Sequence, residues 1–407
     1  MKYQRIKGTR DLLPEESLTW QWFITRMRKI LAQYGYHEIR TPIFEATEIF
    51  VRSIGETTDI VEKEMYTFKD KGDRNLTLRP EGTAPVMRAI LEHNLKPPIR
   101  LYYYGPMYRQ ERPQKGRLRE FFQIGIEYVG NSSPFADREV IAVGDRIVQD
   151  FKIGNSRLLI NSIGCPDCRG PYYQKLNGFL KSNSGSLCSD CQRRVVKNPM
   201  RFFDCKEESC QELVQTAPKI IEHLCPECSD HHQKLKKYLE KSAIRYEESS
   251  GLARGLDYYT RTVFEFVVPG LGAQNTIIGG GRYDLLIEQF GGPSTPAVGF
   301  AMGIERMLLS IKDKIETPPP VFIAQIGGLY QEARTIQQDL HRMNKVTILG
   351  DPEMSLKKQL READRLNACW AIMIGANELK KGKYILRCME SGEQKEYTRE
   401  DLLAKLS

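Results

Sequence analysis

The stretch that decides the fold is Arg109–Gln123, reading R-Q-E-R-P-Q-K-G-R-L-R-E-F-F-Q. Four arginines, Arg109, Arg112, Arg117 and Arg119, fall within eleven residues. Leu101, Tyr102, Tyr103 and Tyr104 precede them, and Phe121, Phe122 and Ile124 follow. Pro113 and Gly116 mark a turn in between. The pattern predicts two strands joined by a basic loop. Guanidinium groups are planar forks that match phosphate oxygens and stack on rings, so a nucleotide triphosphate is the simplest ligand. On charge alone, a solvated surface loop fits too.

Outward from this loop the pattern continues. Gln123, Gly125 and Glu127 alternate with Ile124 and Ile126 and so share one strand face. Gln123 and Glu127 can then point into one cavity. Polar groups on an apolar strand face either solvent or a ligand. Upstream, T-L-R-P-E-G-T (77–83) sets Glu81 between Pro80 and Gly82. A carboxylate held there suits an ammonium group; an ordinary turn is the alternative. Residues 84–95 read as a helix. Further upstream, Phe23, Met27, Ile30, Leu31 and Tyr34 give one apolar helical face closed by Gly35, after an irregular lead over 1–16. A strand is expected over His37–Phe44, with Pro42 inside it.

Downstream, 134–150 reads as a helix, and Leu158–Ile163 and Thr262–Val268 read as strands. Gly279-Gly280-Gly281 reads as a tight turn or a close backbone approach. Gly299–Met307 runs from strand to helix, with Gly303 and Arg306 near a helix start that favours anions. Pro318-Pro319-Pro320 is a linker. Beyond it a β-α-β-α-β pattern over 321–374 predicts a small domain with a mixed sheet.

The 407 residues suggest two or three domains, and 41% hydrophobic residues are enough for real cores. A formal charge of +8 suits a polyanionic partner. No apolar run approaches the roughly 20 residues of a membrane span, and the first residues lack an apolar signal region; a cytoplasmic protein is expected. Eight of the ten cysteines lie between Cys165 and Cys228, as Cys165-x2-Cys168, Cys188-x2-Cys191, Cys205-x4-Cys210 and Cys225-x2-Cys228. Under reducing conditions such spacing reads as metal ligation. The first two pairs lie nineteen residues apart, a zinc-type spacing, and eight thiolates can hold two tetrahedral ions. His223, His231 and His232 are spare ligands. Small buried thiols without metal are the alternative.

Three strings add a resemblance. G-P-M-Y-R-Q-E-R-P-Q-K-G-R-L-R-E-F-F-Q resembles motif 2 of the class II aminoacyl-tRNA synthetases. G-F-A-M-G-I-E-R-M (299–307) resembles their motif 3. G-L-A-R-G-L-D-Y-Y-T-R-T-V-F-E (251–265) is similar to the signature of the histidyl-tRNA synthetase family. The resemblance spans the whole chain and implies an α+β fold. An antiparallel catalytic sheet with flanking helices would span 1–164 and 246–317, a helical cysteine-rich insertion 165–245, and an α/β anticodon-binding domain 321–407.

It implies a homodimeric histidine–tRNA ligase that uses L-histidine, ATP with Mg²⁺, and histidine tRNA. Arg109 would bridge the histidine carboxylate and the α-phosphate, and Arg117 and Arg306 would hold the γ-phosphate. Glu81, Thr83 and Gln123 would grip the α-ammonium, and Glu127 and Tyr259 the imidazole, with Tyr258 and Tyr283 lining the pocket. Arg254 would stabilise charge on the α-phosphate. The family's insertion does not require metal, so the zinc question stays open at this point. Two alternatives are a regulatory paralogue serving ATP phosphoribosyltransferase and a zinc-ribbon nucleic-acid binder. The first degrades the arginines and lacks the C-terminal domain; the second leaves the arginine motifs unexplained.

Overall fold

Proline sets where the first helix begins. Pro14 occupies a first-turn position, where a missing N–H costs nothing, and α1 runs Pro14–Gln33. The irregular lead is therefore shorter than the expected 1–16. Trp20, Phe23, Met27, Ile30 and Leu31 form its buried face, and Gly35, at φ +74°, lets the chain leave. The computed structural model describes all residues except 1–2, 56–57, 59, 115, 190, 193–198, 206, 253–255, 272–274 and 312–317, and except the side chains at 201 and 204.

The chain divides into two units, Met1–Asp313 and Lys314–Ser407. In the first, α1 is followed by β1 (His37–Glu38), β2 (Phe44–Ala46), α2 (Thr47–Ile54), β3 (Tyr66–Lys69), β4 (Asn75–Leu78) and α3 (Thr83–Glu92). Then come β5 (Ile99–Tyr108), β6 (Glu120–Val129), α4 (Pro134–Asp150) and β7 (Arg157–Ser162). The cysteine-rich segment carries α5 (Pro166–Ser182), α6 (Glu208–Thr216) and α7 (Pro226–Lys241). The unit ends with β8 (Glu247–Glu248), β9 (Thr260–Val267), β10 (Thr276–Arg282), α8 (Leu286–Gln289), β11 (Ala297–Gly303) and α9 (Ile304–Ser310).

The main sheet has the order β1-β5-β6-β11-β10-β9-β7-β8. Its six inner strands pair antiparallel. The two-residue edge strands pair parallel, so the sheet is mixed at its margins. The expected strand over His37–Phe44 is split. β1 joins the main sheet, while β2 joins a small sheet of order β2-β4-β3. Pro42 lies between them and cannot donate to a ladder. Helices α1 and α4 cover one face, where Phe23, Met27, Val140, Ile147, Ile160, Phe264 and Phe300 form a core.

Gly279–Gly281 lie inside β10 rather than in a turn. A Cβ at Gly280 would meet the Gly299 carbonyl and come 2.6 Å from Phe300 Cβ. The glycines therefore let neighbouring strands approach closely, which the turn reading missed. At the end of β10 a fully buried ion pair joins Arg282 to Asp137 of α4. Arg282 also donates to the Asn131 carbonyl at 2.9 Å and to Asp284 at 3.0 Å. Its remaining donors are thus satisfied, as a buried guanidinium requires.

The second unit holds β12 (Val321–Gln325), α10 (Tyr330–Arg342), β13 (Thr347–Leu349), α11 (Leu356–Arg365) and β14 (Trp370–Ile374). α12 (Ala376–Lys380), β15 (Tyr384–Cys388), β16 (Gln394–Tyr397) and α13 (Arg399–Leu406) complete it. The sheet order is β13-β12-β14-β15-β16; the first three strands are parallel and the last two antiparallel. The expected mixed sheet is present, extended by a hairpin. Buried residues line both faces of β12 and β14, as central parallel strands require.

Candidate active site

The hairpin β5–β6 carries the basic loop. Its register runs from Ile99 opposite Val129 to Tyr108 opposite Glu120. Arg109 N–H then donates to the Arg119 carbonyl at 2.9 Å and continues the ladder. At the tip, Gln114 and Arg117 bridge across Gly116, whose φ is +73°. Beneath this loop lies a cavity of about 680 Å³. Glu81, Thr83, Arg109, Arg117, Gln123, Tyr258, Tyr259, Tyr283 and Arg306 line it. Glu127 is buried beside it, 1% exposed, in contact with the lining Tyr283. Among the named site residues, Arg254 lies outside the described residues, as do its neighbours at 253 and 255.

Three arginines converge at the loop. Arg109 donates to the Pro80 carbonyl at 2.9 Å and lies over the Phe121 ring, 5.2 Å from its centroid. Glu111 pairs with Arg117 and lies 3.9 Å from Arg109. Arg306, on the first turn of α9, donates to the carbonyls of Gly116 at 3.1 Å and Thr276 at 3.2 Å. Burial, then the charge of Arg117, depresses the Arg306 pKa. Like charges gathered this way favour an anion among them. Sequence reading missed Glu111, though it sits in the quoted stretch between two of the arginines. It also missed Glu305, whose carboxylate accepts from Phe122 N–H at 3.0 Å and whose pKa burial raises to about 6.

The deeper part is acidic and aromatic. Glu81 accepts from the N–H groups of Thr83 and Ala84 at 2.6 and 2.9 Å, so it caps α3 from inside the cavity. Burial raises its pKa, and those donors and Arg109 oppose the rise. Glu127 accepts from Tyr283 O–H. Among the described residues, its Oε1, like Gln123 Oε1 and Tyr103 O–H, is buried without a hydrogen-bond partner. Burial, and then the charge of Glu81, lift the Glu127 pKa well above the carboxylate range. Unpartnered buried acceptors are costly, so they mark where a donor belongs. The Tyr258 ring lies 4.7 Å from Tyr259 and 5.5 Å from Tyr283, forming an aromatic wall. Tyr103 packs against Gly82 and Gly125, where a Cβ would collide with its ring.

The cysteines gather in two groups, though not as the nineteen-residue spacing suggested. Cys165 and Cys168 meet Cys225 and Cys228; Cys188 and Cys191 meet Cys205 and Cys210. In each group all four sulfurs lie within 4.8 Å of one another. A tetrahedron with metal–sulfur bonds of about 2.3 Å sets sulfurs roughly 3.8 Å apart. Cys165 lies 3.7 Å from Cys168 and 3.9 Å from Cys225; Cys188 lies 3.8 Å from Cys205. All eight are free thiols, and both groups could hold a metal ion. The spare histidines are engaged elsewhere. His231 lies 3.3 Å from Asp137, His232 lies 2.8 Å from Glu248, and His223 packs on Tyr172.

An antiparallel sheet whose long hairpin carries an arginine loop over a cavity closed by a strand–helix arginine defines a class II aminoacyl-tRNA synthetase fold. A family model for histidyl-tRNA synthetase matches residues 8–166 and 202–307, and one for an anticodon binding domain matches 320–407. The histidine–tRNA ligase of Desulforamulus reducens is 46% identical over 408 residues, covering 98% of this chain and 97% of that one. That of Trichlorobacter lovleyi is 48% identical over 399 residues, covering 97% and 95%. The crystal structure of apo Staphylococcus aureus histidyl-tRNA synthetase superposes with a TM-score of 0.80 at 37% identity, over 99% of both chains. The chain belongs to the histidyl-tRNA synthetase family.

Proposed function

We propose that the chain is a histidine–tRNA ligase that forms histidyl-adenylate from L-histidine and ATP and passes histidine to the 3′-terminal ribose of its tRNA. One observation carries the reading: three arginines and a deeply buried acceptor, Glu127, serve one cavity. The arginines suit a triphosphate, and Glu127 suits a ring N–H. Arg109 orients the histidine carboxylate toward the α-phosphorus, while Arg117 and Arg306 hold the γ-phosphate. Glu81, Thr83 and Gln123 take the α-ammonium. Glu127 and Tyr259 take the imidazole, between Tyr258 and Tyr283.

The carboxylate oxygen attacks phosphorus, and pyrophosphate leaves. Arg254 and Arg109 are the catalytic groups, meeting the charge that builds on the α-phosphate. Such groups act by positioning and by preorganised charge. The ribose hydroxyl then attacks the carbonyl carbon, and AMP leaves. Glu265, which lines the cavity, offers the oxygen donor that Mg²⁺ takes; the ion, when bound, screens charge on the phosphates of ATP.

In this reading 1–164 and 246–317 are the catalytic domain, 165–245 the insertion, and 321–407 the anticodon-binding domain. The protein acts as a homodimer in the cytoplasm. Its two cysteine groups hold structural Zn²⁺, which thiolate tetrahedra favour. The regulatory alternative finds less support: a structure titled ATP phosphoribosyltransferase regulatory subunit/histidyl-tRNA synthetase shares the fold at a TM-score of 0.67 but only 21% identity. Exchange of labelled pyrophosphate into ATP that requires histidine, and no other amino acid, is the expected result. Its absence would refute the reading.

A further inference from the structure

The two cysteine groups differ in place. Cys165-Pro166-Asp167-Cys168 opens α5, and Cys225-Pro226-Glu227-Cys228 opens α7. In both, the first cysteine caps the helix, proline takes the first turn, and the second cysteine is buried. Helix starts favour thiolates. The first knuckle directly follows β7 and the second opens the last helix of the insertion, so the pair stands at its root. The other group lies within the insertion, and its Cys191, Cys205 and Cys210 belong to the same hydrophobic core as Tyr258 and Tyr259.

The root is welded to the main sheet. Ile163 N–H donates to the Arg261 carbonyl at 2.7 Å, and Arg261 N–H to the Gly164 carbonyl at 2.8 Å. Gly164, at φ +63°, is what lets the knuckle close, because a Cβ there would lie 2.6 Å from Cys168 Cβ. One residue after Cys168, Arg169 donates through Nη2 to the main-chain carbonyl of Tyr259. Tyr258 and Tyr259 share one hydrophobic core with Tyr172 and Leu176 of α5. The helix that carries half of the root group therefore holds the aromatic wall of the cavity from behind.

We propose that the root group is a metal centre that positions the histidine pocket, acting through Arg169 on Tyr259. This rests on the ligase reading and on zinc as the occupant. The metal fixes the start of α5 against the start of α7. With α5 fixed, Arg169 holds the Tyr259 carbonyl and thereby the two tyrosine rings. Arg169 is a positioning residue; it lies behind the wall and touches no substrate.

The test uses the purified full-length enzyme, elemental analysis for zinc, calorimetric histidine binding, and pyrophosphate exchange. Wild type should carry two zinc ions per chain. The double variant Cys165→Ser/Cys225→Ser should lose one and weaken histidine binding about tenfold, with the KM for ATP within about twofold. Cys188→Ser/Cys205→Ser should also lose one, yet weaken histidine binding clearly less than the root variant, because it leaves the Arg169 contact to Tyr259 in place. Arg169→Met should keep both ions and still reproduce the histidine defect, which separates positioning from collapse of the insertion. Native histidine affinity in the root variant or in Arg169→Met would overturn the coupling, as would an equal defect in the second-group variant. Wild type without zinc would overturn the metal centre. Two zinc ions without histidine-dependent exchange would overturn the ligase reading, and this inference with it.

Discussion

Replacing Glu127 by glutamine isolates one hydrogen bond in the cavity. The amide has the shape of the carboxyl, so Tyr283 O–H can still donate to its oxygen, as it does to Oε2. The change falls at the other position. Oε1, which has no hydrogen-bond partner among the described residues, becomes an NH₂ group, and an imidazole N–H then meets a donor. A hydrogen bond to a charged acceptor contributes about 1.5–3 kcal/mol. At 1.4 kcal/mol per tenfold, the KM for histidine should rise roughly 10- to 150-fold. In the proposed reading Arg109, Arg117 and Arg306 hold ATP, so its KM should stay within about twofold. Initial-rate pyrophosphate exchange at varied histidine and at varied ATP tests this. Equal rises in the two KM values would refute the reasoning.

Arg254→His should slow single-turnover adenylate formation on the order of 10²–10³-fold while leaving histidine and ATP binding near native; early melting with a native rate would make the residue structural. Removing residues 320–407 should preserve adenylate formation and weaken tRNA charging, and equal charging with and without them would contradict an anticodon-binding role. Glu305 carries the clearest pH signature for stability. Its folded pKa of about 6 exceeds the ordinary 4.5, so the native state binds more protons between these values and stability falls as pH rises through them. The gap corresponds to about 2 kcal/mol. Glu305→Gln should therefore melt a few degrees above wild type at pH 7.5, with the difference vanishing near pH 4.5. A constant difference across that range would exclude the titration.

Periodicity made the large elements readable. The predicted 134–150 helix matches α4, and the strands flanking the arginine loop match β5 and β6, because long amphipathic or alternating segments leave one choice of buried face. The site residues were not legible that way: Glu81, Arg109, Arg117, Tyr258, Tyr259 and Tyr283 all lie just outside the helices and strands, and it was the family resemblance that pointed to them. Other features were hidden because they depend on partners distant in sequence. Nothing in the interval between Cys168 and Cys188 reveals that the knuckle at Cys165 must meet the one at Cys225; that follows from where α5 and α7 begin. Gly279–Gly281 read as a turn because the close approach of Gly299 and Phe300 lies on another strand. Glu111 and Glu305 look like ordinary surface acids until the loop folds over them. The hairpin β15–β16 is hard to read because β16, Gln394–Tyr397, is almost wholly polar and leaves the Tyr384–Cys388 run without a visible partner.

In the sheet, Glu127 of β6 stands opposite Gly299 of β11. Between them the chain builds the whole cysteine-rich segment. A nascent polypeptide that has just completed the arginine loop therefore has no floor to its cavity. The floor arrives only when β10 and β11 emerge, after the insertion has been made in full. Both thiol groups are complete by Cys228, before either strand exists. Synthesis thus imposes an order in which both thiol groups are complete while the substrate cavity is still absent. The late, long-range pairing of β11 with β6 belongs to the slow class of folding events. It falls at the end of the catalytic unit, so partial chains released before that point have no assembled site.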